Sequence, residues 1–407
     1  QTAYTGDNNI AIGSYAMGDI DVDATVGAST ENVFIGNQAG GGTWVTAATD
    51  SCVAVGNNAL SGALTGAGDG TVAVGRSALA ALTSGESNVA IGYQAGLETT
   101  GGNSNTILGY QAMYRDNGMA NTDNTFIGYR SGAGNWSSTA CTQNTAIGYQ
   151  TLNGDMIGAN FNTVVGHNAG STLAQGDSNT LIGHEAGRYV AGGIENTFVG
   201  QYAGWKIGDT ASTSSHSSYN VAIGILALAG GDDTYANNTA YNNIAIGYGT
   251  CGGATKGSDG APLIGHQNVV IGHQAGEDFE DAHSNVIVGA LAGQQITDTV
   301  GTIAIGTSAL GALISGTVNL AIGYQALQHC VDGEANLAIG HGALADWDAG
   351  NTVDGSSHNV MIGRNAGGGA WTDVLSSYNV GVGNYVMDDA MDGANYNTAI
   401  GHVALGA

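Results

Sequence analysis

One proline and two lysines, Lys206 and Lys256, are all that 407 residues contain of those two types. Lys and Arg together number 7 against 33 Asp and Glu, a formal charge of −26. So few cations exclude nucleic-acid binding, which needs clustered Lys and Arg to neutralise phosphates. The surplus of carboxylates makes a surface that repels copies of itself and suits a cation-rich exterior. Long apolar runs are also missing. The longest, 221–229, is about half of the roughly 20 residues a membrane helix needs. Collagen is excluded because the 70 glycines keep no three-residue period, and wholesale disorder because 43% of the chain is hydrophobic. Cysteine is scarce too. Cys52, Cys141, Cys251 and Cys330 fall in well-separated repeats, too far apart for the Cα separation of about 7 Å that a disulfide tolerates. They read as free thiols that pack as small apolar groups. Motifs of catalysis and phosphate binding are lacking as well: there is no nucleophile elbow, no HExxH, and no glycine-rich loop between strand and helix. The chain reads as a non-enzyme.

What the sequence does contain is one phrase, written twenty-one times: Asn, a β-branched residue, an apolar residue, Ile or Val, Gly, two polar residues, Ala, then Gly or Leu. Its glycines run from Gly13 to Gly401, and their spacings run from 17 to 25 with eight of the twenty equal to 17. A fixed minimum with additions and no subtractions is the signature of a solenoid, in which each coil has an obligatory circuit and insertions are confined to loops. The expectation is therefore an all-β parallel β-solenoid of about 21 coils, a single domain over 1–407. Large loop insertions fall at 18–30, 205–219, 230–241, 252–267 and 345–358.

Stacking the phrases turns each position into a column. A side-chain period of two puts the Ile or Val before the glycine on the same side as the β-branched residue two places earlier. The sequence expectation takes that side as the solenoid core. The residue between them, Ala in eleven coils and Phe34, Phe126 and Phe198 among the rest, would then face outward. An outward column that is apolar throughout implies a strand covered on both faces, and another copy of the chain is the nearest cover. Phe34, Phe126, Phe198, Ala90, Ala146 and Ala321 are accordingly the expected oligomer interface. Asn, present before the strand in eighteen coils and replaced by Cys52, Thr71 and Thr302, is expected to form an amide ladder along the stack. The glycine is expected at a turn that needs positive φ or room for a backbone. The polar–polar–Ala segment after it reads as a second strand, which would make the coil a flattened two-sheet roll.

The phrases SNVAIGYQAG, QNTAIGYQTL and VNLAIGYQAL resemble the head repeats of trimeric autotransporter adhesins, and similar repeats occur in phage tail fibres. The resemblance covers essentially the whole chain. It implies a left-handed parallel β-roll, a homotrimer around one axis, an extracellular, cell-surface or virion-surface location, and attachment to a cell or surface through a glycan or protein receptor. A subunit of a head-to-tail filament and a polysaccharide-degrading tail spike are the alternatives.

Function would then sit in the irregular residues. Trp205, Tyr219, Tyr235, Tyr241 and Trp347 lie in the insertions and are candidates for stacking on a ligand, sugar rings included. Acidic loops around Asp232, Asp233, Asp278 and Asp281 could supply hard oxygen ligands to calcium, although none has an EF-hand or nonapeptide pattern. Solvated acidic loops that hold no metal are the plainer alternative.

Overall fold

The computed structural model describes residues 6–18, 29–42, 49–64, 68–136, 139–208, 217–230, 240–252, 265–346, 355–369, 374–389 and 393–406. Twenty-one strands of three residues, from β1 (Ile10–Ile12) to β21 (Thr398–Ile400), account for its regular structure, and no helix occurs among the described residues. The chain is an all-β parallel β-solenoid made of two compact units, Gln1–Glu195 and Asn196–Ala407. The first holds β1 to β10 (Thr180–Ile182) and the second β11 (Thr197–Val199) to β21. Within each unit successive strands pair in parallel and without slip. Thus Val89, Ala90 and Ile91 of β5 (Val89–Ile91) oppose Thr106, Ile107 and Leu108 of β6 (Thr106–Leu108). Each column of the phrase is therefore a physical column one coil deep per residue.

The phase of those columns is the reverse of the expected one. The middle residue of each strand points into its own coil: Phe34, Phe126, Phe198, Ala90, Ala146 and Ala321 have no exposed surface in the single chain. Side chains sealed inside one chain cannot form the contact between chains, so the interface expected at these six residues is withdrawn. The flanking columns face out. Asparagine explains the inversion, because it stands two residues before the middle position and so shares its side of the strand. The Asn88 Oδ1 accepts from both the backbone N–H and the Nδ2 of Asn105, each at 3.0 Å, and Asn105 Nδ2 also donates to the Asn121 carbonyl at 2.7 Å. Such a ladder survives only where water does not compete for the amides. It therefore turns inward and takes the middle column with it.

The coil interior is narrow, and its volume is shared between the middle residue and the one four places after the repeat glycine. Where the strand presents Phe34, Phe126 or Phe198, the residue across from it is Gly40, Gly132 or Gly204. A Cβ on Gly132 would lie 2.5 Å from the Phe126 ring, and one on Gly204 2.3 Å from Phe198. Where the strand presents Ala54, Ala146, Ala304 or Ala321, the opposite residue is Leu60, Leu152, Leu310 or Leu327, fully buried. Two neighbouring coils depart from this exchange, and they compensate each other. Ala90 faces Gly96 while Ile107 faces Met113, and the Ile107 Cδ1 leans to within 3.1 Å of where a Gly96 Cβ would stand. Uniform filling at interior density is what this pairing maintains.

The segment after the glycine is not a second strand. It is a run of turns in which the glycine, the second residue after it and the fourth are all left-handed, as at Gly148 (φ 139°), Gln150 (φ 50°) and Leu152 (φ 44°). Single inter-coil hydrogen bonds still tie it down, with Gln94 N–H donating to the Arg76 carbonyl and Leu79 N–H to that of Ala95. A strand needs successive extended residues, and alternation with left-handed ones prevents that. The repeat glycine meets both conditions expected of it. At Gly128 φ is 134°, and a Cβ would come to 2.1 Å from the Gly148 carbonyl oxygen in the next coil.

All four cysteines are free and buried. Desolvation pushes the Cys52 thiol up to about 12 and Cys141 to about 11, which keeps both protonated and unreactive at neutral pH. Cys52 stands in the ladder column, accepts no amide there, and donates its Sγ–H to the Gly68 carbonyl at 3.0 Å.

Candidate functional site: the outer sheet face

Three columns face outward. The first is the residue that opens the strand, the second the residue that closes it, and the third the residue after the repeat glycine. The second column is Ile, Val or Leu in every coil and remains substantially exposed, with Ile91 at 39% and Leu108 at 42%. None of the residues in the three columns, in either unit, is Asp or Glu. None of the 33 carboxylates of the sequence occupies a position in these columns. Solvent alone gives no reason for that, since a solvated sheet face alternates apolar-in with polar-out.

In the first unit the third column becomes a continuous ring stack. Tyr93, Tyr110, Tyr129, Tyr149, His167 and His184 lie face to face, with centroid separations of 5.1, 5.2, 5.0, 4.8 and 5.1 Å and interplanar angles of 13° or less. Arg76 caps it, its guanidinium carbon 5.9 Å from the Tyr93 centroid. In-register parallel pairing repeats like side chains at the strand spacing, and flat rings meet at that distance. Because the ring faces are spent on one another, the stack presents edges, hydroxyls and ring nitrogens to its surroundings. Beside it the first column changes from Val89 to Thr106, Thr125, Thr145, Thr163 and Thr180, which are exposed or half-exposed.

The residues singled out from the sequence do not gather into one site. Trp205 packs edge-on against Tyr202 at 5.7 Å, and the Lys206 Nζ lies 4.0 Å from its ring centroid. Tyr219 stands exposed in the left-handed position before Asn220. Tyr241, one coil on, lies tilted against His266 at 5.1 Å, and His266 stacks on His283 at 5.0 Å. Asp281 is held by His283, Oδ1 to Nε2 at 2.6 Å, while the Asp278 backbone N–H donates to the Gln294 carbonyl. Glu277, next to Asp278 in sequence, accepts from the side-chain amides of Gln274 and Gln294. Asp281 and Glu277 take separate partners, and among the described residues no three His, Cys, Asp or Glu side chains come together around a metal position. Asp232, Asp233, Tyr235 and Trp347 lie outside the described residues. Trp136 is fully buried against Phe126, with ring centroids 5.3 Å apart, so an indole in a closing segment is not in itself a surface feature.

Besides the cysteines, burial displaces Asp116, His266 and Asp388, the last raised by desolvation and then by its neighbour Asp389. Asp116, in the segment that closes the coil after β6, is pushed up to about 6 by desolvation, although Thr99, the Gly118 N–H and the Asn121 amide all favour its charged form. His266 is lowered, first by burial and then by the neighbouring His283. Sequence reasoning missed Asp116 because nothing in its spacing distinguishes it from the solvated acids around it.

Fold and outer face together define a parallel β-solenoid repeat protein with an apolar, carboxylate-free flank. Compared with known proteins, the sequence matches no family model and no curated protein.

Proposed function

We propose that the chain is a non-enzymatic structural module of an extracellular, cell-surface or virion-surface fibre, in which copies associate through the outer sheet face and the irregular loops are left free for attachment. The carboxylate-free apolar face carries this reading. Two chains of charge −26 can approach closely only where neither presents an acid, and the outer columns are continuous along the coils of each unit. A trimer of left-handed rolls is the arrangement that the resemblance to adhesin heads favours. In it, the second-column Ile and Val side chains would be buried around the axis. The fibre reading also fits a coil built entirely from packing rules, with its variable residues confined to insertions.

Light scattering and electron microscopy of the purified chain are the test. Discrete assemblies of three chains are expected, and Ile127→Asp with Ile147→Asp in the second column should return them to single chains that keep their β circular dichroism. A wild-type chain that is monomeric at micromolar concentration overturns the reading. Binding of fluorescent chain to cells and glycan surfaces, lost on exchanging the insertion loops for Gly-Ser segments, tests the attachment half separately.

A further inference from the structure

Four successive coils without insertions carry Glu277, Gln294, Gly311 and Gln328 in the column five places after the repeat glycine. The Gln294 Nε2 donates to the Glu277 Oε2 at 2.8 Å, which ties the first two rungs of this column together. At Gly311, in the coil of β16 (Ile303–Ile305), the column skips a rung. Ala312 beside it stands likewise between Gln295 and His329. The backbone does not part at this place: Gln295 N–H donates to the Gly311 carbonyl at 3.3 Å, and Ala312 N–H to that of Gln328 at 2.9 Å. Only the side chains are small. They leave a cleft of about 260 Å³, with Gln294 and Gln295 on one wall and Gln328 and His329 on the other. The fold itself does not ask for glycine here. Gly311 is not left-handed, and a Cβ on it would meet nothing closer than the Ser308 carbonyl oxygen at 3.4 Å, an ordinary contact.

We propose that this cleft binds a neutral sugar, one pyranose ring taking the place of the skipped rung. The site does not depend on association between copies, because none of its lining residues belongs to the three outer columns. Its dimensions suit a single ring. A skipped rung is one strand spacing thick, about 4.8 Å, and the volume lies below the roughly 300–1,000 Å³ of sites for drug-sized ligands. Its polar atoms suit hydroxyls, which donate and accept at once. Gln294 spends its Nε2 on Glu277, so its Oε1 remains to accept. The side chains of Gln295, Gln328 and Ser308 make no hydrogen bond among the described residues and can both donate and accept. The His329 Nδ1 lies 2.8 Å from the Ala345 carbonyl, which can only accept. Nδ1 therefore carries the proton, and the Nε2 of the neutral imidazole is an acceptor. Leu291 and Ala312 add aliphatic surface for the C–H face of a ring. No Lys, Arg, Asp or Glu lines the cleft, so nothing in it pairs with a phosphate, a carboxylate or an ammonium group.

Saturation-transfer NMR on the purified chain tests the site, with the methyl glycosides of glucose, galactose, mannose and N-acetylglucosamine each at about 10 mM. Transfer to at least one of them is expected, with a dissociation constant on the order of millimolar, as suits one ring in a cleft this small. Gly311→Gln completes the column and should weaken that binding about tenfold or more. Its melting temperature should hold or rise, because the added side chain has room and a glycine is removed. Gln294→Ala/Gln328→Ala strips both walls without touching the backbone and should weaken binding by a similar factor. Ser171→Gln, the same side chain added to the same column in the first unit, should bind as the wild type does. Silence from all four glycosides overturns the sugar site, and so does undiminished binding by Gly311→Gln or by the double variant. Equal loss with Ser171→Gln overturns it as well, since the contact would then not be at this cleft. A chain that takes a glycoside here and stays monomeric keeps the site while the fibre reading falls.

Discussion

Two stretches of five coils, β6 to β10 in the first unit and β14 (Val269–Ile271) to β18 (Leu337–Ile339) in the second, share one interior and differ outside. Inside, both carry middle-column residues with no exposed surface, from Ile107 to Leu181 and from Val270 to Ala338. Outside, the first opens its strands with threonine and stacks Tyr and His beside them. The second opens with Val269, Val286, Ile303, Leu320 and Leu337, and its third column is a mixture of His273, Ala290, Thr307, Tyr324 and His341. The contrast separates two kinds of constraint. Positions inside the coil answer to volume and to the amide ladder, and they recur. Positions outside answer to whatever lies against them, and they diverge by region.

The comparison breaks if the common interior is not equally demanding in both stretches. Gly128→Ala and Gly289→Ala should each destabilise their unit by more than about 4 kcal/mol, since both glycines are left-handed and a Cβ would overlap the next coil's backbone oxygen, at 2.1 and 2.5 Å. Unequal losses in denaturant unfolding would mean that one stretch relaxes where the other cannot. Next in size is the volume exchange. Phe126→Ala should cost about 3–4 kcal/mol, and adding Gly132→Leu should recover about half, because Leu152 already takes a left-handed φ of 44° at the equivalent place. In the second stretch Ala304→Phe should be tolerated only together with Leu310→Gly. A thermal melt in which the second change gives no rescue would refute the compensation.

Asp116 has no counterpart in the second stretch and sharpens the contrast. Its folded pKa lies above the unfolded carboxylate value, so the native state binds the proton more tightly. The stability this contributes is complete below about pH 4 and is lost as pH rises through about 6. Asp116→Asn should therefore match the wild type near pH 4 and exceed it at pH 8 by about 2–3 kcal/mol. Equal stabilities at pH 8, by urea unfolding, would show that the charged form is well solvated. The smallest effect concerns the ladder. Thr302 leaves its own hydroxyl buried without a partner and gives Asn319 N–H no side-chain acceptor. Thr302→Asn restores both and should raise stability by about 1 kcal/mol; a lowered melting temperature would count against the ladder as a stabilising element.

Much of this architecture was legible from recurrence. The glycine column, the asparagine ladder, the free buried thiols and the position of each strand all follow from one repeated phrase, because each has a single physical reason that repeats with it. The phase of the strand was not legible. In the fourteen coils whose strands are three apolar residues in a row, hydrophobicity gives no sign of which side faces in, and the deciding signal was polar: Asn88 and its equivalents need shelter and lie in phase with Ala90. The false second strand at Tyr93–Gln94–Ala95 has a similar origin, since an alternation of polar and small residues is shared by strands and by turns that alternate handedness. Candidate site residues such as Trp205 and Asp281 are marked in the sequence by their type and by their place in an irregular segment. What they touch depends on how the loop closes, which no column records.

The gaps in the asparagine ladder have a mechanical consequence. In the first unit Cys52 and Thr71 interrupt it, leaving Asn9 and Asn32 on one side and the run from Asn88 to Asn179 on the other; in the second, Thr302 parts Asn285 from Asn319. In a stacked repeat, unravelling spreads from coil to neighbouring coil and halts or starts where the contact between neighbours is weakest. Under load, then, each unit should yield in blocks whose edges are these missing amides. Steps in single-molecule force traces would mark the edges, and Thr302→Asn should fuse two of them into one. A substitution as mild as threonine for asparagine thus acts as a perforation, setting where the protein tears.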